Sequence, residues 1–213
     1  MADAESGLLA VGGDLEIGSL ELAYKSGIFP WPVGRDESVL WFAPARRAIL
    51  DFPQFKIPKR LQRDFKSCNF FFRVNTNFEA VIKNCAASKT RKKQPGTWIT
   101  DAMIKAYINF YNAGFVKSFE TYNQKNELVG GLYGVHIGNY FAGESMFFKA
   151  SNASKFALVR AIEYLQQLRL EWIDIQMLTP LLESFGAFEI PRAQFMQKLT
   201  EALNFKLNPI NER

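Results

Sequence analysis

Histidine and cysteine are nearly absent from this sequence. His136 is the only histidine among 213 residues, which excludes a multi-histidine zinc site. It sits in the alternating run LVGGLYGVHIGN and is expected to be an edge or face residue of a strand rather than a catalyst. Cys68 and Cys85 have neither metal-ligand nor C-x-x-C spacing, so free thiols in a reducing compartment are expected. No Walker loop and no G-x-G-x-x-G occurs, and the pair Gly130-Gly131 is too short to cradle a nucleotide. Ser145, in AGESMF, lacks the second glycine of a G-x-S-x-G elbow and has only His136 to serve it, which argues against a serine triad. No apolar run approaches the roughly 20 residues of a membrane span, and the first residues lack the pattern of a signal peptide. A cytoplasmic protein with no membrane contact is expected.

What is present is a core. Hydrophobic residues make up 48% of the chain and 20 of them are Phe, enough for one large domain or a small one joined to a larger. The net charge of +5 suggests a basic face rather than a basic protein. Alternating runs at Lys117 to Tyr122, Leu128 to Ile137 and Tyr140 to Glu144 predict three antiparallel strands. Helical spacing is clear at Asp101 to Asn112, opened by Thr100 and closed by Gly114. The fold class is α+β, with a mixed sheet in the larger C-terminal part. Two prolines and a change of charge place a domain boundary near Pro53 to Pro58.

The chain is organised around Asn139 to Gln176. A strand ending at the carboxylate of Glu144 leads through a polar turn, Lys149 to Ser154, with Ser151 and Asn152 as candidate helix caps. The following helix is expected to reach about Leu168, with Leu158, Ile162, Leu165 and Leu168 in one apolar stripe. A strand, Trp172 to Gln176, completes a βαβ-like unit, for which parallel pairing is expected. Strand alternation predicts Asp174 and Gln176 on one face and Ile173 and Ile175 on the other.

Two further stretches leave alternatives open. IFPWP and LWFAPARR bring Trp31, Trp41 and Phe42 close in sequence, as a small aromatic core or as the wall of a ligand site. Lys59, Arg63 and Lys66 share one face of a helix starting near Pro58, and a second basic run, KTRKK, spans 89–93. The plain reading is a solvated face. The sharper one is a surface that grips nucleic-acid phosphates without reading bases.

Several ordered motifs together resemble the leucyl/phenylalanyl-tRNA–protein transferases: GIFPW at Gly27 to Trp31, GTWIT at Gly96 to Thr100 and LVGGLYGV at Leu128 to Val135. GESMF at Gly143 to Phe147, NASK at Asn152 to Lys155, IDIQ at Ile173 to Gln176 and FGAFEIPR at Phe185 to Arg192 extend the resemblance over nearly the whole chain. It implies a small N-terminal domain, 1–54, and an N-acetyltransferase-like C-terminal domain, 55–213, that works without coenzyme A. The implied reaction moves Leu or Phe from aminoacyl-tRNA to the N-terminal Lys or Arg of a protein, marking it for degradation by the N-end rule pathway. An aminoacyl ester is already activated, so no cofactor, ATP or metal is called for. The attacking α-amine has an ordinary pKa of about 7.7–8.0, so positioning can do most of the work.

By the same resemblance, Gln176 orients the attacking amine through its carboxamide oxygen, Asp174 polarises or holds Gln176, and Glu144 helps to place the aminoacyl group. Leu132, Phe141, Gly143, Leu158 and Ile173 are implied to line the aminoacyl pocket. Trp31, Trp98 and Tyr107 would shape the site of the terminal adenosine, where aromatic faces stack on a base. Lys59, Arg63 and Lys66 would hold the acceptor stem of the tRNA. The sequence departs from the family at Leu181-Leu182, where a His-Leu pair is usual. Rival readings are an aminoacyl-tRNA-dependent transferase acting on a peptidoglycan precursor, a non-enzymatic RNA-binding module, and a coenzyme A-dependent acetyltransferase of the same fold. The last would need a glycine-bearing phosphate loop, and Lys149 to Ser154 contains no glycine.

Overall fold

Short strands and one helix open the chain: β1 (Leu8–Val11), α1 (Ile17–Lys25), β2 (Phe29–Pro30) and β3 (Leu40–Phe42). The structure, a computed structural model, describes residues 7–31, 38–87 and 99–205. The first three strands form an antiparallel sheet in the order β1-β3-β2. Helix α1 ends where Gly27 takes a left-handed backbone (φ 72). There the Gly27 N–H donates to the Tyr24 carbonyl and the Ile28 N–H to the Ala23 carbonyl, satisfying orphan carbonyls of the last turn.

The rest of the chain builds the larger sheet and its helices. In order these are β4 (Arg46–Asp51), α2 (Lys59–Ser67), β5 (Phe71–Val74), α3 (Phe78–Ala87), α4 (Asp101–Asn112), β6 (Val116–Tyr122) and β7 (Leu128–Ile137). There follow β8 (Tyr140–Phe148), α5 (Ala153–Gln167), β9 (Trp172–Gln176), α6 (Pro180–Ser184), β10 (Phe188–Pro191) and α7 (Arg192–Asn204). Seven strands pair in the order β10-β4-β9-β8-β7-β6-β5. Among the described residues only β8 and β9 of this sheet pair in parallel, so the sheet is mixed, and α5 connects them as the βαβ-like pattern predicts. Strand β4 lies inside this sheet although it precedes the boundary expected after residue 54. Its apolar run Ala48-Ile49-Leu50 is buried on both faces, which an inner strand requires.

Alternation along β7 feeds two apolar clusters. Leu132 joins one with Leu61 of α2 and Leu158, Ile162 and Leu165 of α5. Tyr133 and Val135 join the other, with Tyr24 of α1, Val81 of α3, Tyr107 of α4 and Leu199 of α7. The glycine pair of β7 serves packing: a Cβ on Gly130 would lie 2.6 Å from that of Ala153, so its absence lets the start of α5 rest on the strand. Asn152 caps α5 in the left-handed conformation (φ 64) without a side-chain cap bond. Its amide instead reaches Asp64 of α2 at 2.9 Å and ties the two helices together. Among the described residues no helix is long and apolar enough to cross a membrane.

Candidate active site

Two irregularities in the sheet build the site. Between β7 and β8, Tyr133 pairs with Ser145 and Gly134 with Gly143, so Glu144 is the extra residue of a β-bulge. Between β4 and β9, Ile49 pairs with Asp174 and Ala48 with Gln176, so Ile175 is extra. Bulges re-aim side chains and gather next to active sites. Pairing with β7 resumes beyond the first and carries β8 on to Phe148 instead of ending at Glu144, while the bulge takes that carboxyl out of the regular alternation.

At the end of β9 the chain turns on Gln176, whose φ of 57 is left-handed. The Met177 N–H donates to the Ile175 carbonyl at 2.6 Å, closing a γ-turn centred on Gln176. Turns of this hand are rare, and such a conformation in a non-glycine residue costs about 1–3 kcal/mol. Its effect is directional. Ile173, Ile175 and Gln176 all line one cavity, while Asp174 is fully buried on the opposite side of the strand. The expectation that Asp174 and Gln176 share a face is therefore corrected, because the γ-turn breaks the period of two after Ile175.

The cavity is about 730 Å³. All five residues expected to form an aminoacyl pocket, Leu132, Phe141, Gly143, Leu158 and Ile173, line it. Trp31, Glu144 and Gln176 line it too. The Gln176 Nε2 donates to Glu144 Oε1 at 3.2 Å, and the Tyr107 hydroxyl donates to Glu144 Oε2 at 3.4 Å. No hydrogen bond to the Gln176 Oε1 occurs among the described residues. Burial pushes the Glu144 carboxyl up to about 8, against the hydroxyls of Tyr24 and Tyr107, which hold it down. A carboxyl in that range beside an apolar cavity is poised to exchange a proton near neutral pH.

Asp174 does not touch the Gln176 carboxamide. Its Oδ1 accepts from Arg47 Nε (2.8 Å) and from the Gln176 main-chain N–H (2.9 Å). Its Oδ2 accepts from Arg47 Nη2 (2.7 Å) and the Tyr140 hydroxyl (2.6 Å). Tyr107 is also placed differently from the stacking role. Its ring is fully buried and its hydroxyl bonds to the Tyr24 hydroxyl and the Glu144 carboxyl, so it meets the cavity only through Glu144. Trp98 and the basic run 89–93 lie outside the described residues. His136 is neutral, pushed down to about 4 by burial and by Lys117, and it does not line the cavity.

Lys59, Arg63 and Lys66 are exposed on α2, with Leu61 turned into the core. None of the three makes an ion pair among the described residues.

Family models for the leucyl/phenylalanyl-tRNA protein transferase and for its N-terminal domain match residues 49–200 and 13–45. The chain is 44% identical over 202 residues to the leucyl/phenylalanyl-tRNA–protein transferase of Pseudoalteromonas atlantica, covering 95% of this chain and 85% of that one. It belongs to this family. The enzyme of that name from Flavobacterium johnsoniae is 45% identical over 195 residues, covering 92% of this chain and 91% of its own. The relative from Nitrosospira multiformis is 45% identical over 200 residues, 94% and 84% of the two chains. A solved structure, that of L-PGS from Bacillus licheniformis, is a distant likeness: 13% identity, TM-score 0.44, 81% of this chain and 54% of that one. The N-terminal match ends at residue 45 and the other begins at residue 49, so the gap between them covers the first half of β4.

In this transferase family member, Leu181 and Leu182 line the cavity where the sequence departs from the His-Leu pair. Sequence reasoning missed Arg47, Tyr140 and Tyr24. The available signal was an arginine at the head of the apolar run Ala48-Ile49-Leu50. It is weak, because only the pairing of β4 with β9 brings Arg47 to Asp174.

Proposed function

We propose that this chain transfers Leu or Phe from aminoacyl-tRNA to the α-amine of an acceptor protein whose first residue is Lys or Arg. The product would be a cytoplasmic protein marked for degradation by the N-end rule pathway. The C-terminal part, with its β8–α5–β9 unit, is read as acetyltransferase-like. One observation carries this reading: an apolar cavity of about 730 Å³ with Glu144 and Gln176 joined at its polar side. The Leu or Phe side chain occupies the apolar part, and the ester carbonyl lies toward the two polar groups.

Catalysis then divides between two residues. The Gln176 Oε1 accepts a hydrogen bond from the incoming amine and aligns it on the ester carbon. As the C–N bond forms and the bond to the ribose oxygen breaks, Glu144 takes the proton released by the amine. The same carboxyl returns a proton to the departing ribose oxygen. Asp174 stays out of the proton path, since four donors already occupy its oxygens.

Labelled Leu-tRNA incubated with peptides bearing N-terminal Arg or Ala tests the reading. Label should enter the Arg peptide and not the Ala peptide; equal labelling of both would remove the acceptor specificity.

Two mutational outcomes follow from the assigned surfaces. Leu158 is buried and lines the cavity, so Leu158→Trp should fill it and block Phe transfer before Leu transfer. A drop of at least about 100-fold for Phe and of about 10-fold for Leu is expected, since discrimination in an apolar pocket follows volume. Equal losses in correctly folded protein would make Leu158 a core residue only. Replacing Lys59, Arg63 and Lys66 together by Ala should reduce the salt slope of tRNA binding by about two to three. An unchanged slope would point the tRNA elsewhere.

A further inference from the structure

Arg47 is a charged side chain with only 1% exposure, and nothing in the reaction itself calls for it. Its guanidinium lies between the rings of Phe29 and Phe195, 4.5 and 4.7 Å from their centroids, and its Nη1 donates to the Gly27 carbonyl at 3.1 Å. Both remaining directions of the fork go to Asp174. A fork fixed on three sides leaves the carboxylate one orientation. Tyr140, also fully buried, adds a fourth constraint through Oδ2.

The one free direction of that carboxylate is spent on a main-chain group. Asp174 Oδ1 accepts the N–H of Gln176, the residue at the centre of the γ-turn. A regular strand would continue the alternation and carry residue 176 to the side of Asp174, away from the cavity. The left-handed turn reverses this, and the conformation needs an anchor to persist.

We propose that Arg47 is a positioning residue for the transfer reaction: with Tyr140 it locks Asp174 onto the Gln176 N–H, holding the γ-turn that delivers the Gln176 carboxamide into the cavity. This rests on the role given to Gln176 above. Asp174 thus acts through the backbone rather than by polarising the carboxamide, and Arg47 acts through both.

The clamp predicts coupling. Arg47→Lys keeps the charge but loses the fork, and should lower kcat about 30-fold while the KM for aminoacyl-tRNA stays within about twofold. Tyr140→Phe keeps the ring in the core and removes one donor, and should lower kcat about fivefold. Each change is then made in a Gln176→Ala background. With no carboxamide left to position, each should alter kcat by less than about twofold. The Tyr140→Phe cycle decides the matter by itself if Arg47→Lys does not fold.

Losses of the same factor in both backgrounds would show independent structural effects and overturn the clamp, with the role of Gln176 intact. A parental rate in Gln176→Ala alone would overturn that role and the clamp with it.

Discussion

Gln176→Ala should lower kcat by about 100-fold or more while leaving the KM for aminoacyl-tRNA nearly unchanged. The carboxamide oxygen meets the amine only as the bond forms, and an interaction made mainly in the transition state appears in kcat. The size follows from positioning, where misplacement of a reacting group by about 1 Å can cost 100-fold. Alanine keeps the Cβ, so the cost of the left-handed backbone is the same in both proteins and the substitution isolates the carboxamide. Gln176→Glu should behave differently. It retains an acceptor but replaces the Nε2 donor to Glu144, 3.2 Å away, by a second carboxyl. Two carboxyls at that distance share a proton and titrate as a pair, with at least one pKa raised. The activity of Gln176→Glu should therefore recover only at higher pH, and rise more steeply than that of the parent.

Glu144→Gln should lower the rate by about 100-fold or more near neutral pH, the contribution typical of a positioned acid–base group. Its pH dependence is the sharper test. In the parent both the amine and Glu144 must be unprotonated for attack, and the carboxyl is pushed up to about 8 by burial. The logarithm of the single-turnover rate should then rise below about pH 7 with a slope approaching two, because the α-amine also titrates at about 7.7–8.0. In Glu144→Gln only the amine remains, and the slope should fall to one. Stability gives an independent sign. A carboxyl whose folded value exceeds its usual 4.5 binds more protons when folded, so the parent loses stability relative to Glu144→Gln as pH rises from about 5 through 8. Parallel stability curves for the two proteins would show that Glu144 titrates in its ordinary range.

Local patterns were legible in the sequence, and long-range ones were not. The stripe of Leu158, Ile162 and Leu165 predicts α5 within about a residue of its end, because helix faces follow from spacings of three and four. The exposed cationic face of α2 is local for the same reason. The cavity wall was named through motif resemblance, and its five residues do come together. Alternation failed at the two points that matter most. A bulge at Glu144 and a γ-turn at Gln176 each break the period of two; Gly143 beside the first is a weak mark of a bulge, and the second has no neighbouring glycine or proline to mark it. Arg47 was hidden because 127 residues separate it from Asp174, and only the sheet order brings them together. The motif resemblance places Tyr107 at the site of the terminal adenosine, whereas its hydroxyl is held inside by Tyr24 and Glu144.

Transfer to the α-amine is read from the site of attachment on the product. A peptide with N-terminal Arg and one internal Lys, incubated with Leu-tRNA and then fragmented in a mass spectrometer, should carry a single added leucyl group on its α-nitrogen. The same peptide with an acetylated N-terminus should remain unmodified. Leucine on the internal Lys side chain, or an acetylated peptide modified as readily as the free one, would contradict transfer to the α-amine at this cavity.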